Sequence, residues 1–302
     1  MSGSSKKAIY AALVGNGLIS VTKFAAATFT GSAAMMSEGI HSLVDTANQG
    51  LLLHGLRRAN LPPSKLFPFG HGKEVYFWSF VVAMLIFAMG GAFSVYQGIK
   101  HLADPSPINN VFINYIVLGS AVLFELGALW VALKEFNLSR GDTGVYEAIR
   151  EGKDPTLFVV LFEDSAALIG LLVAMLGLAL YQITGDPIYD AMASIVIGVV
   201  LIGTAYWLAL ESKNLLIGES AHPAIETSIE EIFAGDIRID GVNDIATLHM
   251  GPEYILVTLS ADFASGLGSD DLEKAVADLG DKVRGVDARI RRVFIEAKGK
   301  IS

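Results

Sequence analysis

Six apolar stretches, each long enough to cross a bilayer as a helix, occupy the chain between Ala8 and Leu210. A hydrocarbon core takes about 20 predominantly apolar residues at helical rise. Lipid offers no partner to backbone N–H and C=O groups, so such runs must satisfy their own hydrogen bonds as helices. The runs are roughly Ala8–Phe29, Ala33–Leu56, Tyr76–Ile99, Val111–Leu133, Thr156–Ile183 and Tyr189–Leu210. Composition agrees: 18% of the 302 residues are charged, against about a quarter in an ordinary soluble domain. The charge that does exist is unevenly placed. Much of the acid behind the net charge of −9 lies after Glu211, and no basic face is visible, which argues against nucleic acid as a partner. The expected domains are 1–213, a six-helix transmembrane domain, and 214–302, a soluble domain.

Lys and Arg asymmetry orients the spans. With the N-terminus inside, the inner segments hold Lys6, Lys7, Arg57, Arg58, Lys65, Lys73, Lys134, Arg140, Arg150, Lys153 and Lys213, whereas the outer loops hold only Lys100. Both termini are therefore expected on the cytoplasmic side of a multi-pass membrane protein. Lys23, close to the outer end of the first span, is expected to snorkel to the interface. The opening "MSGSSKK" is basic but carries no cleavage-site pattern, so the first apolar run reads as a retained span.

The tail reads as an α+β unit. "HPAIETSIEEIFAG" has a helical start, spacing and stop; "VNDIATLHM" and "EYILVTLSADF" read as strands; "SDDLEKAVADLGDKV" reads as a helix capped by Ser269; "ARIRRVFIEA" reads as a last strand. The order αββαβ predicts a two-layer domain of ferredoxin-like type. A short surface helix is expected around Tyr146–Glu151, between the fourth and fifth spans.

Ionisable residues inside spans are costly and point to function. In "SEGIHSLVDTANQG", residues Glu38, His41, Asp45 and Asn48 recur at steps of three and four, so they share one helix face. Glu163 and Asp164 interrupt the fifth span, Glu125 the fourth, and Asn16 and Ser20 form a short polar stripe in the first. His41 and Asp45, one turn apart, can bind one ion together. One imidazole with two or three carboxylates suits a divalent first-row metal, and the chain has no cysteine to supply a thiolate. Zinc leads on the participation of histidine, with manganese, iron(II) and cobalt as alternatives. The competing readings are structural. Glu125 and Asn16 serve equally well as hydrogen-bond partners between helices, Glu38 can sit in water near the end of its span, and His41 with Asp45 can form a buried ion pair without metal.

The loop "FPFGHGKE" (Phe67–Glu74), arriving after "LLLHGLRR", resembles that of the cation diffusion facilitator family of zinc and other divalent-metal transporters. The resemblance covers nearly the whole chain and is similar in detail to the branch containing the mitochondrial-type zinc transporter and its bacterial relatives. It implies a homodimer in a lipid bilayer, its cytoplasmic domain dimerising, that exports metal from the cytosol in exchange for protons by alternating access. It implies a transport site with two residues from the second span, matched by His41 and Asp45, and two from the fifth. Asp164 matches one of the latter; the other position holds Val160. Glu163 is the first choice to fill that place, with Glu125, a water or a shifted helix as alternatives. The resemblance also implies that Lys73 pairs with an acid near the start of the cytoplasmic domain, for which Glu219 stands nearest. His71 is then a structural residue of the loop, and metal in the tail would have only His222, His249 and Glu296 to hold it.

Two other classes use the same residues. An intramembrane metallohydrolase would activate water on the metal, but no span contains a His-Glu-x-x-His motif. A membrane metal sensor would need more ligands in the tail than the sequence supplies.

Overall fold

The computed structural model describes residues 3–140 and 155–299, with side chains from 16 to 138 and from 159 to 299. The helix expected around Tyr146–Glu151 lies outside the described residues. Contacts divide the chain into two compact units: Met1–Leu56 with Phe77–Ser212, and Arg57–Tyr76 with Lys213–Ser302. The loop after the second apolar run thus packs with the tail, although it lies within the first of the two domains read from the sequence.

Among the described residues, six long helices build the first unit: α1 (Gly3–Thr30), α2 (Ala33–Ala59), α3 (Glu74–Ala103), α4 (Val111–Arg140), α5 (Pro155–Thr184) and α6 (Ile188–Ile217). Four of them, α3 to α6, are long and apolar enough to cross a membrane over Glu74–Ala103, Val111–Leu138, Val159–Thr184 and Ile188–Ile217. The polar stripe of α2 sets that helix apart from these four.

Tight approaches position the helices. A two-residue corner joins α1 to α2, with Gly31 at φ 78°, a conformation only glycine adopts without strain. The first N–H groups of α2 need partners. They find them in Asp190 of α6, whose carboxylate accepts from Ala33 N at 2.5 Å and from the Ser32 hydroxyl at 2.6 Å. Ser37 and Ser194 hydroxyls, 2.7 Å apart, tie the same two helices one turn further on. Between α3 and α6 the backbones nearly touch: a Cβ on Gly198 would lie 2.7 Å from the Gly91 carbonyl oxygen. Gly91 belongs to a π-helical turn, Ile86–Ala92, that interrupts α3. Apolar residues of the helices form one continuous core, including Val44, Leu171, Ile197 and Leu201.

The second unit follows the order expected from the sequence: α7 (Pro223–Ala234), β1 (Ile239–Gly251), β2 (Tyr254–Phe263), α8 (Ser269–Val286) and β3 (Ile290–Ala297). β2 lies centrally, antiparallel to β1 and parallel to β3. Alternation on β2 sends Ile255, Val257, Leu259 and Ala261 to one face, where they pack on Ile225, Ile229 and Phe233 of α7 and Leu279 and Val283 of α8. Gly268, not Ser269, occupies the position before α8; Ser269 opens the helix, followed by Asp270 and Asp271 in its first turn.

The Phe67–Glu74 loop is part of this unit. Gly72 lies against the β1–β2 hairpin so closely that a Cβ would come within 2.3 Å of the Met250 carbonyl oxygen. Arg292 of β3 stacks over the Phe69 ring, and Arg58 bonds Glu74 at 2.9 Å. Val75, Tyr76 and Leu215 form a small buried cluster beside it.

Candidate functional site

Helical spacing puts Glu38, His41, Asp45 and Asn48 on one face of α2, and that face points into the helical unit. Glu38, His41 and Asn48 are buried, and Asp45 nearly so. His41 Nδ1 lies 3.2 Å from Asp45 Oδ1. The Asn48 amide donates to Glu163 Oε1 at 2.6 Å, and the carboxyl groups of Glu163 and Asp45 are within hydrogen-bonding reach of each other. Both His41 ring nitrogens, Asp45 Oδ1 and Asn48 Oδ1 are buried without a hydrogen bond. Buried polar atoms are rarely left so. These are one imidazole and several oxygens, the donor types that suit a divalent first-row cation.

The two acids of α5 diverge, as adjacent residues on a helix must. Glu163 joins the α2 face, whereas Asp164 lies in the field of Glu125 and Glu163. Glu125 of α4 belongs to the same acidic neighbourhood, close enough to Glu38, Glu163 and Lys23 to interact with each charge. Val160 packs in the apolar core beside them. Among the described residues, no three His, Asp or Glu side chains converge closely enough to hold a metal in this conformation.

Two readings of the sequence need correction. Lys23 does not snorkel: its ammonium is wholly buried, 3.0 Å from Glu38 Oε2 and 2.8 Å from the Ser42 hydroxyl. Glu38 is correspondingly 0% exposed and not wet. Its pairing with α1 was missed because Lys23 and Glu38 are 15 residues apart across a corner. Asn48 was visible as part of the stripe, but its hold on Glu163 was not, since nothing in the sequence aligns α2 with α5. Ser20, by contrast, is helix glue, donating to the Gly39 carbonyl at 3.2 Å.

In the second unit, Lys73 donates to the Leu216 carbonyl in the last turn of α6 at 3.3 Å; the Glu219 carbonyl accepts from His249 N. Burial lowers the Lys73 ammonium below its ordinary pKa. The His71 ring packs on Phe67, with Nδ1 3.8 Å from Glu74 Oε1. His222, His249 and Glu296 are not brought together. His222 uses Nδ1 to cap α7. His249 pairs with Ile255 and Glu296 with Ser260. That places the latter two on opposite faces, about 17 Å apart along the strands at 3.3 Å per residue.

A multi-pass helical unit with buried nitrogen and oxygen donors, followed by a small α+β unit, describes a class of membrane cation transporters. A family profile, the cation efflux transmembrane domain, matches residues 9–217. The chain belongs to the cation efflux family and is an integral multi-pass membrane protein. Among its relatives is the mitochondrial proton-coupled zinc antiporter SLC30A9 of Mus musculus, 33% identical over 259 residues, covering 85% of this chain and 46% of that protein. Metal tolerance protein C4 of Arabidopsis thaliana is 32% identical over 261 residues, covering 86% of this chain and 57% of that protein. The cation-efflux pump FieF of Citrobacter koseri is 25% identical over 251 residues, covering 82% and 77%. The chain spans about half the length of the first two of these relatives.

Proposed function

We propose that this chain exports a divalent cation, zinc first, by alternating access in exchange for protons. The observation that carries the reading is the α2 face: the His41 imidazole, facing Asp45 at 3.2 Å, and the Asn48 amide oxygen are buried among helices beside Glu163 without a hydrogen bond to satisfy them. The SLC30A9 relatives, named proton-coupled zinc antiporters, support both the metal and the coupling. Manganese, iron(II) and cobalt are alternative cargoes of the same donor set.

In this reading all six long helices are spans, with both termini cytoplasmic in a bacterial inner membrane. The αββαβ unit is a ferredoxin-like cytoplasmic domain through which two copies dimerise. His41, Asp45 and Glu163 bind the metal, with Asn48 positioning Glu163 and Asp164 closing on the ion from the next position of α5. Glu125 supplies charge nearby. Glu163 thus takes the place that Val160 leaves empty. Metal binding requires neutral imidazole and ionised carboxylates, so protons compete for the same groups and favour release once the site has turned outward.

Metal-loaded proteoliposomes under an imposed pH gradient test the reading. Asp45→Ala and Asp164→Ala should abolish flux; parental flux in both would sink it. Val160→His should shift preference toward zinc over manganese, and an unchanged preference would show that position 160 does not face the ion.

A further inference from the structure

Lys23 is used by none of the steps above, yet it is the one cation wholly buried among the described side chains of the helical unit. Its ammonium sits 3.0 Å from Glu38 Oε2 and 2.8 Å from Ser42 Oγ. Ser42 directly follows His41, so the ammonium is anchored one residue from the metal-binding turn. Glu38 Oε1 has no hydrogen bond. It is pressed against Gly170 of α5, where even a Cβ would come within 2.6 Å of it. Three helices therefore enclose this carboxylate: α1 through Lys23, α2 through its own backbone, and α5 through the absence of a side chain.

Glu38 and Asp45 lie on the same stripe, seven residues apart, about 10 Å along the axis at 1.5 Å per residue. Past His41, Glu38 is the next carboxylate on that face toward the N-terminal end of α2. An ionised, unshielded Glu38 would offer a dication a second binding place. A fixed ammonium there has the opposite effect: it neutralises the carboxylate and repels a second positive charge at short range in a low dielectric.

We propose that Lys23 is a built-in surrogate cation, which occupies Glu38 permanently and so restricts the helical unit to one metal ion, preventing recapture on the way out. This rests on the transport reading. It assigns Lys23 and Glu38 a specificity role, and removes Glu38 from the metal ligands.

The test compares parent, Lys23→Met, Glu38→Gln and the double variant, each as the full chain. Zn2+ binding in detergent is measured by calorimetry and Zn2+ flux in proteoliposomes. Lys23→Met should bind one more Zn2+ per chain than the parent, or bind at least 10-fold tighter, with flux at least 10-fold slower. Glu38→Gln, leaving the ammonium unopposed, should weaken binding about 10-fold. The double variant should return to the parental stoichiometry and affinity. Parental binding in Lys23→Met overturns the proposal. Should that variant not fold, parental affinity in Glu38→Gln, or a double variant that differs from the parent, overturns it instead. Absence of Zn2+ flux in the parent would count against the transport reading alone, because the binding comparison stands without flux.

Discussion

Single residues decide what the α2 face can do. Asn48 holds Glu163 at 2.6 Å, so its role is to keep an acid of α5 turned toward His41 and Asp45. Groups that orient metal ligands typically contribute 10- to 100-fold in affinity. Asn48→Leu should therefore weaken Zn2+ binding by about that factor, and Asn48→Asp should recover less than half of the loss, since a carboxylate cannot donate to Glu163. Calorimetric titration of the purified chain distinguishes the two. Much of this site was legible beforehand. His41 and Asp45 announce themselves by spacing, and Glu163 by its cost in an apolar run. Lys23 was not legible, because a lysine near a span end reads as interfacial by default. Only the fold of the α1–α2 corner reveals that it turns inward.

At the scale of the element, α2 depends on a residue outside itself. Asp190 closes the N-terminus of α2 from the start of α6, accepting from one hydroxyl and two backbone N–H groups. Replacing a capping acid by alanine costs about 0.5–2 kcal/mol. Asp190→Ala should lower the thermal midpoint of the chain in detergent while leaving the donors of the α2 face in place; an unchanged midpoint would mean that another group caps the helix. Helix existence was readable from hydrophobic run length, as was the αββαβ order of the tail from its periodicities. Asp190 was not, since an acid at the first turn of α6 looks like a favourable residue for its own helix dipole. The start of α8 slipped by one residue for a related reason: Gly and Ser are both acceptable before a helix, and sequence cannot rank them.

At the scale of the whole molecule, the second unit carries a carboxylate whose ion pairs tie its stability to pH. In the second unit, Asp236 accepts from Arg238 Nε at 2.9 Å and from Lys282 at 3.2 Å, and these bonds, Arg238 first, hold its carboxyl well below the usual carboxylate range. A carboxylate depressed in this way stabilises the folded form at any pH above its unfolded pKa, about 3.9. That contribution is lost as pH falls from there through the folded value. Urea midpoints of the unit, followed by methyl NMR of Ile225 and Ile229 in the full chain, should hold steady from pH 7 to 5 and drop below about 4. Asp236→Asn should flatten part of that drop; an undiminished drop would assign it to other acids.

The chain crosses between its two units three times, at positions 56, 76 and 212, because the Arg57–Tyr76 loop packs with the tail. Stopping synthesis after Ser212 would therefore do more than omit a tail. Tyr76 and Val75 would lose Leu215, and Gly72 would lose the hairpin it is pressed against. A gene truncated at that codon is expected to yield a product with a bare apolar loop, prone to proteolysis and aggregation. The reciprocal fragment, 213–302 alone, would expose the matching surface. Nonsense variants at or just after codon 212 should thus behave as nulls through loss of protein, even though every residue of the α2 face is still encoded.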